Sequence, residues 1–299
     1  IRDRSPSRGL GDVYKRQLVF DYKTLHVTLD PSTRSLTIEL SRPARRNAIT
    51  MEMLFELEGM MAWLSSHLEI NAVTIRGAGG YFSSGFDREE TARMDASKLQ
   101  KYFKKLQKIV YSMHLLPQTF IVDLGKGAEA QGIELALGGD IRLVHEETVI
   151  EFNHLQKGLV PCSGGVGILS NIVGAQVARR WVMTSQKLTS NDAVSGMFAD
   201  YSYVLQTKYK LQQEILKRIL MQSPVARIQA KRSLVESTLH EIDRSLVYES
   251  NFAHAGMATG DWKKFLDNIE NDEEKLIKST EYTNPRDMAK IVKEATPTN

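Results

Sequence analysis

Cysteine is nearly missing from this chain: Cys162 stands alone among 299 residues. No disulfide can close within the chain and no cysteine-based zinc site can form, a pattern that fits a reducing compartment. Long apolar runs are missing too. None reaches the ~20 residues that a membrane-crossing helix needs, and residues 1–17 lack the apolar core of a secretory signal. Charge of one sign is not in excess. The 39 basic and 36 acidic side chains leave a net charge of +3, too little for a nucleic-acid footprint, and no long basic stripe appears. A soluble, cytoplasmic protein without a nucleic-acid or membrane partner is the expectation.

Familiar catalytic signatures are also lacking. There is no G-x-x-x-x-G-K-[ST] and no G-x-G-x-x-G opening a helix, so nucleotide-binding loops find no support. Ser83 and Ser84 do not sit in a G-x-S-x-G elbow. His145-Glu146 has no second histidine at metalloprotease spacing, and no metal site is expected.

What is present is an ordinary globular composition, 42% hydrophobic and 25% charged. The length suits one large domain with a smaller appendage. Residues 1–17, IRDRSPSRGLGDVYKRQ, resemble translated adapter sequence and are expected to be a mobile or non-native leader. From Leu18, strands are expected at Tyr22–Leu29 and Ser35–Leu40, joined by the Asp30-Pro31-Ser32 turn. A basic loop, Arg45-Arg46-Asn47-Ala48, precedes a helix over Thr50–His67 with Met53, Leu54, Leu57, Met60, Met61 and Leu64 at helical spacing. A strand at Ala72–Ile75 leads to a glycine-rich turn ending at Asp87. The lysines of a helix over Ser97–Met113 form a solvated face. Further strands are read at Thr119–Leu124, Asp140–Val144 and Val149–Phe152, and a second glycine turn, Gly158–Gly167, opens a helix. This alternation over residues 22–204 predicts an α/β fold with right-handed crossovers. From about Thr207 the chain reads as helical throughout. Ser223-Pro224 supplies an N-cap with proline at the first helical position, and helices are expected over 224–239, 241–258 and 261–278.

The chain is organised around Gly125–Asp140, GKGAEAQGIELALGGD. A strand ending in a flexible turn and feeding a short buried helix gathers backbone N–H groups at one point. With the helix dipole they suit a developing negative charge. Glu134 lies in the first helical turn beside that point, where a carboxylate can act as acid or base. Acidic residues also favour any first turn for the dipole alone, so Glu134 by itself does not decide the matter.

Five segments in this order resemble the crotonase superfamily, the enoyl-CoA hydratase/isomerase family. They are SRPARRNA (41–48), GAGGYFSSGFD (77–87), GIELA (132–136) with GDI (139–141), GLVPCSGG (158–165), and, in the tail, SPVARIQAK (223–231) with TGD (259–261). The resemblance implies a crotonase-like stack of ββα units over 18–205. A helical C-terminal region, 206–299, would build trimers or dimers of trimers. It implies an acyl-CoA or acyl-carrier-protein thioester as substrate, with no permanently bound cofactor and coenzyme A entering as part of the substrate. By position, the backbone N–H groups of Phe86 and Gln131 would form the oxyanion hole, and Arg45, Arg46, Ala48, Ser84 and Asp87 would contact the coenzyme. Glu134 matches the family's helical glutamate. The second glutamate of the hydratases, seven residues before the proline of the second glycine turn, falls on His154, with Glu151 three residues away.

His154 then has two readings, a proton-transfer partner for Glu134 or a strand-end group bonded to a backbone carbonyl. Gln131 replaces the usual glycine, so its side chain is expected to narrow the acyl pocket. Cys162 also takes a glycine position, and a catalytic thiol there would need a depressed pKa. The expected activity is enolate chemistry of hydratase or isomerase type, with Glu134 as main acid/base and His154 as second polar group. Thioester or C–C hydrolysis, decarboxylation, or a catalytically silent scaffold on the same fold are the alternatives.

Overall fold

The computed structural model describes residues 20–269 and 282–295. The leader expected over 1–17, and the end of the helix expected over 261–278, lie outside the described residues. The chain begins with β1 (Leu25–Asp30) and β2 (Ser35–Leu40), paired antiparallel with Asp30 opposite Ser35. Strict alternation along β2 sends Leu36, Ile38 and Leu40 into the core, all without solvent exposure. Helix α1 (Met51–Ser65) is capped by the Thr50 side chain, which accepts from Met53 N, and buries the methionine–leucine face read from its spacing. It delivers the chain to β3 (Ala72–Gly77), parallel to β2.

Helices α2 (Arg88–Ala92) and α3 (Ala96–Leu115) then lead to β4 (Thr119–Asp123), parallel to β3. The lysines of α3 do face outward at 101, 104 and 108. Two of its lysines also serve packing: Lys105 and Lys108 both pair with Glu58 and tie α3 to α1. After β5 (Gly127–Glu129) and α4 (Gln131–Ala136) comes β6 (Ile141–His145), parallel to β4. Then follow β7 (Val149–Glu151), α5 (Gly167–Val173), α6 (Ala175–Thr184), β8 (Lys187–Thr189), α7 (Ser190–Ser195) and β9 (Tyr201–Tyr203). The main sheet has the order β1-β2-β3-β4-β6-β9, and β5-β7-β8 form a second, smaller sheet. Helices α8 (Leu205–Leu220), α9 (Pro224–Ala258), α10 (Asp261–Ile269) and α11 (Met288–Ala295) make up the tail.

Three expectations change here. β5, β8 and β9 are not in the sequence reading, because strands of three residues are too short to display a period of two and these, unlike β7 within Val149–Phe152, have no apolar run to mark them. The pair of helices expected over 224–239 and 241–258 is one helix, capped by Ser223 with Pro224 at its start. No glycine or proline occurs between Val225 and Ala255 to break it. Finally, the turn before the central helix is pinned. Gly125 N bonds Asp123 Oδ1 at 3.0 Å, Lys126 N bonds Gly80 O at 2.7 Å, and the Thr148 hydroxyl donates to Gly125 O. The tail grips the core through Lys231, whose ammonium reaches Met113 O, Gln118 O and Asp140 Oδ2 at 3.0, 2.7 and 2.8 Å.

Candidate active site

The two glycine turns and α4 meet at one place. Gly85, at φ 87°, lets the 83–87 turn approach α4 so closely that a Cβ there would lie 3.1 Å from Gln131 Oε1 and 3.3 Å from Gln131 N. Gly132 has the same duty from the other side, since a Cβ would lie 2.6 Å from Ser83 O. The turn is braced within itself: Ser83 Oγ donates to Asn47 O at 2.8 Å and accepts from Gly85 N at 3.1 Å. Phe86 thus follows a turn packed against the start of α4, where helix geometry leaves the first-turn N–H of Gln131 without an intrahelical acceptor. Ahead of them Ala130 holds φ 42° and ψ −114°, a strained conformation for a residue with a Cβ.

Glu134 lies one helical turn beyond Gln131, on the same face, and is fully buried. Its Oε1 accepts from Cys162 N and Ser163 N, both at 2.7 Å. Its Oε2 has no hydrogen-bond partner among the described residues and faces His154 Nε2 at 3.5 Å. That separation is longer than an ordinary N–H···O bond. His154 is equally buried, and neither ring nitrogen bonds a backbone carbonyl; the strand-end reading of this residue has no counterpart in the structure. Glu151 is not a shifted second carboxylate. It pairs with Lys187 at 3.1 Å on the outer side of the small sheet.

Carboxylates that the sequence reading missed complete the surroundings. Glu249, on α9, accepts from Gly164 N and Gly167 N at 2.8 Å and from Val166 N at 3.3 Å. The second glycine turn thus divides its N–H groups between Glu134 and Glu249. Burial pushes the Glu249 carboxyl up to about 7; its three N–H bonds oppose the rise and the nearby Glu134 charge adds to it. Glu129 accepts from Asn153 Nδ2 and Tyr81 Oη at 3.1 Å and pairs with Lys157 and Arg46 at 3.3 and 2.9 Å. Burial alone would raise its pKa, yet the Lys157 and Arg46 charges bring it below its ordinary value. Burial lowers the Lys157 ammonium. No short motif announces these residues; three-dimensional proximity alone assembles them. The Cys162 thiol is pushed well above its ordinary pKa by burial and the Glu134 and Glu249 charges, so it is a packing group whose N–H matters.

The basic loop and the 83–87 turn do come together. Arg45 pairs with Glu89 at 2.6 Å, and Arg46 lies 4.1 Å over the Tyr81 ring. Ser84 N bonds Arg46 O at 2.9 Å. Arg45 and Arg46 are exposed and Ser84 half-buried, whereas Ala48 is buried with its carbonyl bonded to Arg42. The Asp87 side chain is committed to Arg42, at 2.8 Å, and to Glu90 N at the start of α2. A groove of about 600 Å³ lies elsewhere, between Thr33 and α8, is mainly apolar, and contains none of these groups. Beside Cys162 there is a void of about 10 Å³, no more than one water could fill. Glu134 itself is closed from solvent.

Known proteins bear on this arrangement. The family model described as Enoyl-CoA hydratase/isomerase matches residues 33–271. The chain is 26% identical over 258 residues to the mitochondrial Delta(3,5)-Delta(2,4)-dienoyl-CoA isomerase of Mus musculus, covering 81% of this chain and 77% of that protein. It is 24% identical over 239 residues to the short-chain-enoyl-CoA hydratase of Clostridium acetobutylicum, covering 80% and 92%. An enoyl-CoA hydratase/isomerase structure from Xanthobacter autotrophicus Py2 superposes with a TM-score of 0.77 at 21% identity, covering 93% of this chain and 100% of that one.

Proposed function

The chain belongs to the enoyl-CoA hydratase/isomerase family of the crotonase superfamily, and from that premise we propose that it binds an acyl thioester of coenzyme A and stabilises its enolate. The Glu134 carboxylate carries this reading: it is fully buried, with one oxygen held by two N–H groups and the other facing His154. The thioester oxygen would lie between Phe86 N–H and Gln131 N–H, where charge develops against prearranged donors. Glu134 Oε2 would take a proton from the carbon next to the thioester carbonyl and return it to another carbon of the chain. His154, the second polar group, would share that transfer. One carboxylate suffices for such a double-bond shift, whereas hydration also requires an oriented water. The Glu134–His154 pair in place of two glutamates therefore favours isomerisation over hydration.

Arg45, Arg46, Ala48, Ser84 and Asp87 would contact the nucleotide part of the coenzyme, the last two and Ala48 mainly through their backbone. Coenzyme A arrives with the substrate, bound to the acyl group, and the reaction needs no resident cofactor. A carrier-protein thioester is the alternative donor. Residues 206–299 would associate with neighbouring copies as a trimer or a pair of trimers. Exposed Leu234, Val247, Tyr248 and Phe252 on α9 support this. Among the described residues no helix is long and apolar enough to cross a membrane, and a cytoplasmic setting remains the proposal. The rival reading, a silent binding subunit, draws on the closure of Glu134 and His154 from solvent.

Deuterium uptake next to the thioester carbonyl tests the choice. Saturated and unsaturated acyl-CoAs are incubated in heavy water with the protein and with Glu134→Gln, and read by mass spectrometry. Uptake is expected with the native chain, falling by a factor on the order of 100 or more in the variant. Tight acyl-CoA binding without uptake would remove the enolate reading and leave hydrolysis or silent binding.

A further inference from the structure

The side chain of Gln131 has a geometry that the reaction itself does not require. It is fully buried, and its Oε1 accepts a long hydrogen bond, 3.4 Å, from Phe86 N. That N–H is one of the two assigned above to the thioester oxygen. Its Nε2 is buried without a hydrogen-bond partner. An amide held this way makes one long bond and leaves two donors unpaired, an unfavourable state for a buried polar group. It is also easily displaced by a better acceptor.

Resting on the enolate reading, we propose that Gln131 is a specificity-determining residue whose side-chain carbonyl stands in for the substrate oxygen in the free protein. A neutral thioester oxygen gains little on entry, because it replaces one carbonyl at Phe86 N with another. An enolate oxygen carries charge, and hydrogen bonds to charged acceptors are roughly twice as strong as neutral ones. The displaced amide costs the same whichever oxygen enters, so Gln131 lowers affinity for ground state and enolate alike and keeps the substrate from binding tightly without changing the chemical step. The amide sets a fixed threshold, which the charged oxygen of an enolised 3-oxoacyl thioester exceeds by more than the neutral oxygen of a saturated thioester does.

Titration calorimetry with coenzyme A, butanoyl-CoA and a 3-oxoacyl-CoA tests this on the native chain, Gln131→Ala and Gln131→Asn. Asparagine is one methylene shorter, retains the polar group, and cannot reach Phe86 N; it serves if alanine disturbs the fold. Both variants are expected to bind butanoyl-CoA about fivefold to tenfold more tightly than the native chain. The 3-oxoacyl-CoA should gain by a similar factor, and coenzyme A itself, which brings no acyl oxygen to Phe86 N, should bind all three proteins alike. Butanoyl-CoA binding without any gain in the variants overturns the proposal alone, as does an equal gain for coenzyme A. Butanoyl-CoA binding no better than coenzyme A in every protein overturns both the proposal and the enolate reading beneath it.

Discussion

At the scale of single residues, the decisive contrast is between the two oxygens of Glu134. Oε1 is fixed by the N–H groups of Cys162 and Ser163, while Oε2 has only the His154 ring at 3.5 Å. A carboxylate anchored on one side and open on the other holds its position while it gives and takes a proton. If His154 shares that transfer, His154→Gln lowers deuterium uptake by a factor on the order of 100, with the urea midpoint little changed. A loss below threefold in the same assay would assign the ring to packing. The sequence already marked both residues, Glu134 by its place in the helix and His154 by its distance from Pro161. Glu151, three residues before His154, pairs instead with Lys187 at 3.1 Å.

At the scale of elements, α9 acts on the site through Glu249. Its carboxylate closes the N-terminus of α5 and holds the turn that presents Cys162 N and Ser163 N to Glu134. The pH dependence follows from its raised pKa. In the unfolded chain Glu249 ionises near 4.5, in the folded chain at about 7. Between those values the folded state holds the extra proton, so the contribution is complete below pH 4.5 and is lost as pH rises through about 7. The full span corresponds to roughly 3 kcal/mol at 1.36 kcal/mol per unit. Urea midpoints at pH 5 and pH 8 should therefore fall more steeply for the native chain than for Glu249→Gln. Equal slopes would mean that Glu249 is ionised throughout, held so by its three N–H bonds.

At the scale of the whole molecule, the main sheet and α3 bury the apolar core, while α9, about 50 Å long at 1.5 Å per residue, packs on α3 and α5 and keeps apolar side chains in solvent. Leu234 is 72% and Phe252 68% exposed, a cost that a neighbouring copy would relieve. Light scattering after gel filtration is expected to give three or six times the chain mass of 33.7 kDa. A mass of one chain at micromolar concentration would refute the assembly without touching the chemistry of Glu134.

The sequence by itself determined the long elements and singled out the short helix that carries Glu134. Periodicity shows wherever an element is long enough to repeat, as in β2, α1 and α3, and glycine spacing marks where backbone must approach backbone. Three-residue strands carry no such period, so β5, β8 and β9 emerged only when their partners were in place. A second class of facts never had a local signal. Glu249 reaches a turn more than eighty positions earlier in the chain, and the Glu129–Lys157–Arg46 cluster joins three separate segments. The seating of the Gln131 amide against Phe86 depends on the meeting of two glycine turns. Such pairings depend on distance in space, which the packing of sheet against helix sets and which order along the chain does not encode locally.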